Sequence, residues 1–377
     1  MAEPVIRTTV DQIRRFTLDR HLLIKKTDKD LVSAIGQVCG LNSQTARAPY
    51  ISLWSRVQGF KRSDYDKALY QDRILIKTWL MRGTVHTVPT KEFTIYQKAV
   101  GRNLYEKWKK SLEKYGLMPL DKRRTKLEQR LLDLLDQGSF TKKELLGEVK
   151  GLLKGYRERE EKIIVSRTLR TLAYQGLICH GEPTGPWYHF KENRFTAVNR
   201  WAPEVDLERM EENEARDRLL IKYLKGYGPA TVNDFAYWSG MAVTEAKGVF
   251  DRLKSDLIRV EVRGVKGDYW IHKRDGRRLT GGNKRRSNVI FLPEFDPLIM
   301  GHKEKVRILD EKYKKRVFLR LADVAPVIIA DGQVIGTWNY RFSDKSLKVL
   351  LFKRIDKKVR EKIDKEKLAI KKFLESD

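Results

Sequence analysis

The sequence predicts an α+β protein: tandem winged helix-turn-helix modules, about three of them, followed by a C-terminal β-rich, barrel-like domain. Amphipathic helices leading into a pair of short strands recur along the chain. The recurrences match in physical arrangement, with "GSFT" answering "GPAT" and "LICHG" answering "IRVEV". Beyond residue 273 helical periodicity gives way to strand-like runs.

The first module is expected over residues 1–118. Residues 9–24 read as a helix, with Thr9 as cap and Val10, Ile13 and Phe16 on an apolar stripe. A second helix covers 28–39, and Pro49 suits the first position of a third. Tyr50, Leu53, Trp54 and Val57 form its apolar face, and 62–71 reads as a polar helix. "ILIKTWLMRGTVHTVP" then reads as a hairpin turning at Arg82 and Gly83.

A second module is expected over 119–205. There "LEQRLLDLLDQGSFTKKELLGEV" gives helix, turn and a helix capped by Thr141, and "IIVSRTLRTLAYQGLICHG" gives a helix running into a strand. "WYHF" is read as the partner strand of that wing. The third module, over 206–275, repeats the order with Thr231 as cap, and "DYWIH" closes its hairpin. The last unit, 276–377, begins with the basic, Gly-rich "KRDGRRLTGGNKRRS", read as a mobile loop. Its runs "VIFLPEFDPLIM", "VAPVIIADGQVIGTWNYRF" and "LKVLLFKR" read as strands, with a turn at Asp331 and Gly332 and a Lys-rich closing helix over 356–376.

Charge narrows the function. Lys and Arg number 78 against 50 Asp and Glu, a formal +28, and this excess repels itself unless a polyanion offsets it. Double-stranded DNA suits both the charge and the winged-helix outline, since such a module places a helix in the major groove. RNA fits the charge without the outline. No apolar run is long enough to cross a membrane, and the start "MAEPVIRTTVDQIRRF" lacks a signal-peptide core. Cys39 and Cys179 sit in apolar contexts and read as buried thiols of a reducing, cytoplasmic compartment, where a basic chain would associate with the nucleoid. The histidines are scattered without metal-ligand spacing. Tandem modules remove any need for dimerisation, so a monomer is expected.

One short stretch, "GLNSQTARAPYISLWSRV", holds an amide pair that local structure does not explain. If Leu41–Ala46 is extended, Asn42 and Gln44 project to one face about 7 Å apart. On propensity alone they are turn or capping groups.

This stretch resembles the segment of the AlkZ-like winged-helix DNA glycosylases that carries a Gln-aliphatic-Gln or Gln-aliphatic-Asp motif. "TWLMRGTVHTVP" is similar to that family's Arg-Gly-Thr-Leu-His strand, and "FLPEFDPLIMGHKEK" and "VIADGQVIGTW" continue the likeness across nearly the whole chain. The resemblance implies winged helices around a DNA channel and removal of alkylated purines, in some members with unhooking of interstrand crosslinks. It implies neither metal nor cofactor. Gln44 falls on the second motif position and Asn42 on the first, with Ser43 in place of the usual aliphatic residue. Asn is one methylene shorter than Gln, which retracts that amide by about 1.5 Å. On this reading Asn42→Gln is expected to retain or raise activity.

Neutral amides suit such a reaction. An N-alkylated purine already carries positive charge, so its departure needs little acid. A carbonyl that orients water towards the sugar acts through position and dipole. His86 matches the family's strand histidine; it either faces the channel or is hydrogen-bonded within the hairpin. Arg82, Arg285 and Arg286 are candidate phosphate contacts, a solvated turn being the other reading for Arg82. Asp296 is read either as fixing its loop or as taking part in chemistry. The resulting expectation is a monofunctional glycosylase acting on N7- or N3-alkylated purines. A winged-helix DNA-binding protein without catalysis is the alternative.

Overall fold

The structure is a computed structural model and describes residues 5–114, 122–189, 191–281 and 288–376. Its architecture is mixed α+β. The strands are β1 (Val5–Thr9), β2 (Leu41–Asn42), β3 (Leu75–Trp79), β4 (Val85–Pro89), β5 (Phe140–Thr141), β6 (Ile178–Thr184), β7 (Glu192–Ala197), β8 (Leu257–Arg263), β9 (Tyr269–His272), β10 (Val289–Leu292), β11 (Val327–Ala330), β12 (Gln333–Arg341) and β13 (Ser346–Leu351).

Two sheets share one plan. In the orders β2-β4-β3 and β5-β7-β6, a two-residue strand pairs with the second strand of a hairpin. The third sheet, β1-β8-β9, varies it. Ala230 exchanges both backbone hydrogen bonds with Trp270 of β9, and the N-terminal β1 adds in parallel to β8. The expected hairpin at Arg82–Gly83 is present; Arg82 (φ 57°) and Gly83 (φ 69°) both adopt left-handed geometry to reverse the chain. Thr9, Thr141 and Thr231 each cap a helix, satisfying amides that the first turn leaves open.

Four elements differ from expectation. The strand that pairs with Ile178–Thr184 is Glu192–Ala197, not "WYHF". Trp187 and Tyr188 instead sit in the loop between these two strands, where Tyr188 stacks on Phe342 at 3.9 Å and Trp187 packs edge-on to Tyr50. These rings thus pack on other elements from a loop. Within the basic loop, Gly276–Thr280 forms a helical turn that buries Leu279. The strand in "VIFLPEFDPLIM" ends at Leu292, because Asp296 caps a new helical turn over Pro297–Met300. Last, the C-terminal sheet is no closed barrel: β10-β11-β12-β13 is an open antiparallel meander. The helix Lys357–Glu375 packs beside β10 and buries Ile363, Ile370 and Phe373, covering an edge that barrel closure would otherwise remove.

The main core runs from Ala34 to Leu374 and takes in helices, the β2-β4-β3 sheet and the C-terminal sheet, whereas most buried apolar residues between Leu127 and Ala197, Tyr174 and Cys179 excepted, form a core of their own. Cys39 and Cys179 are buried free thiols, and burial pushes the Cys39 thiol up to about 12. Among the described residues no helix is long and apolar enough to cross a membrane, and no cluster of His, Cys, Asp or Glu could hold a metal ion.

Where the chain's first and last parts meet lies a wholly buried ion pair. The Arg56 guanidinium donates to both oxygens of Asp296, at 2.7 and 2.9 Å, with both side chains 0% exposed. Ser52 Oγ and the Leu298 amide also donate to Asp296, so the carboxylate is well supplied with donors. Asp296 therefore fixes its loop and anchors the helix Ala48–Trp54 to it. Removing one partner leaves a buried charge alone, so Asp296→Ala is expected to cost about 3–5 kcal/mol by urea denaturation. The double change Arg56→Met with Asp296→Leu should recover most of that loss.

Candidate active site

The segment bearing the amide pair leaves the sheet early. β2 ends at Asn42, and residues 43–47 form a bent loop before the helix Ala48–Trp54, whose first turn contains Pro49. The extended geometry considered above therefore stops at Asn42, and the two amides have different surroundings.

Asn42 is 6% exposed. Its Oδ1 accepts the Gln44 amide at 3.0 Å, a side-chain turn that fixes the next residues. Its Nδ2 reaches Thr84 Oγ1 at 3.5 Å. Ser43 points inward, and its hydroxyl meets Thr87 Oγ1 at 2.7 Å, which in turn meets the Tyr65 hydroxyl at 2.8 Å. A serine at this position is thus satisfied by buried hydroxyls. Gln44 is exposed. Its Oε1 accepts the Val85 amide at 3.2 Å while the Ser43 amide donates to Val85 O at 2.8 Å. The Gln44 side chain so continues the β2–β4 ladder past its last backbone pair. An amide carbonyl has two lone pairs, and this hydrogen bond uses one of them.

His86 lies opposite Asn42 in the register of β2 and β4. It is buried, with Nδ1 and Thr84 O 2.9 Å apart, so that Nδ1–H donates to the carbonyl. Burial first, and the nearby Arg82 charge second, lower its pKa to about 3. Arg82 turns away from this group: Nη1 donates to Trp238 O at 2.7 Å, capping the end of the helix Val232–Ser239. Asn42, Gln44 and His86 are therefore gathered on one strand pair, and Arg82 is not with them. Arg285 and Arg286 lie outside the described residues.

Several neighbours had no sequence signal. Glu294, 6% exposed, accepts from Thr45 Oγ1 at 2.8 Å and from Arg47 Nε at 2.9 Å through the same Oε1. Arg47 Nη1 also donates to Tyr340 O at 3.2 Å, tying the loop to β12. Phe295 between the two carboxylates has φ 56°, a costly left-handed conformation that turns Glu294 and Asp296 to different partners. No local spacing marked this, since a contact across some 250 positions is not local information. A narrow turn spans Val317–Ala325, closed by Ala325 N donating to Val317 O at 2.8 Å and Leu319 N to Asp323 O at 2.8 Å. At its tip Leu321 is 101% exposed.

Comparison with known proteins bears on the chain as a whole. The family model for DNA glycosylase AlkZ-like proteins matches residues 35–373. An interstrand DNA cross-link repair glycosylase of Streptomyces sahachiroi is 25% identical over 338 residues, covering 87% of this chain and 86% of that protein. The solved structure of Streptomyces sahachiroi DNA glycosylase AlkZ superposes with a TM-score of 0.78 over 95% of each chain at 23% identity, a likeness of fold. Matched by the family model over nearly its whole length, the chain belongs to the AlkZ-like DNA glycosylase family.

Proposed function

We propose that this chain is a monofunctional DNA glycosylase that hydrolyses the N-glycosidic bond of N7- or N3-alkylated purines in double-stranded DNA and unhooks interstrand crosslinks built on such purines. The single observation that carries the reading is the exposed Gln44, whose carbonyl is pinned by the Val85 amide. Water held there is presented to the sugar. The C1′–N bond breaks with its electron pair moving to the cationic purine, which leaves neutral. The water oxygen bonds to C1′ and its proton passes to solvent. Gln44 supplies position and a dipole towards the oxocarbenium-like sugar. Asn42 supports it by setting the loop through the Gln44 amide.

The supporting scaffold is read as winged-helix modules over 1–118, 119–205 and 206–275 with a β-rich unit over 276–377. The β2-β4-β3 and β5-β7-β6 orders support this, since each pairs a short strand with the far strand of a wing. The monomer acts in the cytoplasm at the nucleoid, without a cofactor. Its positive charge draws in the phosphate backbone. Arg285 and Arg286 contribute phosphate contacts, and Leu321 meets the duplex as an apolar wedge. The reading of His86 is structural: a neutral imidazole holding the strand that presents Gln44.

These roles have measurable consequences on a duplex bearing N7-methylguanine. Gln44→Ala should lower base release by about 100-fold with unchanged band-shift affinity; unchanged release would remove Gln44 from the chemistry. Asn42→Gln should now lower release by about tenfold, equivalent to ~1.4 kcal/mol of barrier. The site is buried and the shorter amide closes the turn, which reverses the sign expected from sequence. Because His86 has a pKa near 3, it stays neutral throughout neutral pH. The single-turnover rate should therefore change by less than about twofold between pH 6 and 8, the range in which an ordinary histidine near 6.5 titrates. A rate that follows a group with a midpoint near 6.5 would contradict the structural role. Shifted bands with no released base in the wild type would favour the non-catalytic binder.

A further inference from the structure

A cavity of about 270 Å³ lies where the start of β3 meets the β5-β7-β6 sheet. Arg73, Arg194 and Arg200 line it, with Ser139, Trp201 and one carboxylate, Glu182. Its size falls below the roughly 300–1,000 Å³ of sites that take drug-sized ligands, and its lining attracts anions. It stands apart from Gln44, which meets β4 at Val85. Arg73 precedes Leu75, and Leu75 pairs with Pro89 at the other end of β4. Strand rise puts Arg73 and Gln44 on the order of 20 Å apart.

The arginines are held in place by the protein itself. Arg73 takes φ 53°, a backbone conformation costly for any residue but glycine, and Thr90 Oγ1 donates to its carbonyl at 2.8 Å. Its guanidinium lies over the Trp201 ring, 5.1 Å from the centroid, and Nη1 donates to Arg200 O at 3.3 Å. The indole is fixed in turn, since Nε1 donates to Leu75 O at 3.1 Å. A guanidinium has five N–H donors in one plane, and stacking engages its face while the edge serves an oxyanion. Arg73 and Arg200 are both exposed. Arg194 plays a lesser part, because it donates to Ser139 O at 2.8 Å and pairs with Glu144 at 3.2 Å. Glu182 is exposed where the β6–β7 register slips, and it opposes an anion.

We propose that this cavity seats one phosphate of the duplex backbone, with Arg73 and Arg200 as its donors and Glu182 restraining its affinity. The inference rests on the reading that the chain acts on double-stranded DNA, and adds to it a fixed contact remote from the reacting sugar. At roughly 3.4 Å per base step, that phosphate lies within about six steps of the lesion. The contact sets where the duplex lies on the protein and carries no sequence information.

The test uses the full chain and an undamaged duplex, so it does not depend on turnover. Phenylglyoxal labels accessible guanidinium groups, and mass spectrometry reads each site. The duplex should suppress labelling of Arg73 and Arg200. In binding titrations at several salt concentrations, Arg200→Gln should lower the slope of log affinity against log salt by about 1. Glu182→Gln should tighten binding by about threefold, the scale of one exposed charge interaction. Thermal melting checks that both variants fold. Labelling of both arginines unchanged by the duplex, or a wild-type salt slope in Arg200→Gln, would overturn the proposal. Inorganic phosphate alone separates the sources of the anion: protection by it with none by the duplex would mark a free-anion site and overturn the backbone assignment. Base release from a duplex bearing N7-methylguanine is followed in parallel. Release without protection of the arginines sinks the phosphate seat and leaves the hydrolase; protection without release does the reverse.

Discussion

Two carboxylates on one short segment organise the site. Glu294 and Asp296 stand on either side of Phe295, whose left-handed backbone sends them in different directions. Asp296 meets Arg56 in an environment with no solvent, and Glu294 meets Thr45 and Arg47 at the rim of a cavity. Both reach from the C-terminal part of the chain to residues 45–56 of the first part. A charge removed from water needs its partner in place, so this contact admits little play. The loop that presents Gln44 is thereby held at both ends, by the β2–β4 ladder before it and by the carboxylate segment after it.

On the proposed hydrolytic reading, that constraint is what neutral amides need. An amide carbonyl is a poor base and contributes only through where it stands. The Val85 amide and the Asn42 side chain fix Gln44 from within its own sheet, while Arg47 ties the following residues to Glu294 and Tyr340. The strand histidine stays uncharged, because burial and Arg82 lower its pKa to about 3. The groups that fix the Gln44 side chain and its amide are thus neutral dipoles, the Val85 amide and the Asn42 carbonyl.

Much of the architecture was legible because its determinants are local. Thr9, Thr141 and Thr231 announce helix starts, Arg82–Gly83 and Asp331–Gly332 announce turns, and apolar spacing announces the helices between them. "WYHF" misled because aromatic residues favour strands by propensity; these rings instead pack on Phe342 and Tyr50 from a loop. Openness of the C-terminal sheet was not readable, since a meander and a barrel share the same strand pattern and differ only in what covers the edge. Gln44 and Asn42 were legible as a pair by resemblance, but their division of labour was not. One faces solvent and the other closes a buried turn, and that depends on where β2 ends. Glu294 was invisible, because its meaning lies in residues some 250 positions away.

The claim that the carboxylate segment holds the Gln44 loop is tested most directly by hydrogen exchange, followed by mass spectrometry, in the peptide covering residues 41–50. Wild type and Glu294→Ala are compared under conditions where both remain folded. Faster exchange confined to this peptide, with the β6–β7 hairpin unchanged as an internal control, is the predicted result. Equal protection of residues 41–50 in the two proteins would show that the loop keeps its shape without Glu294, and would contradict the account.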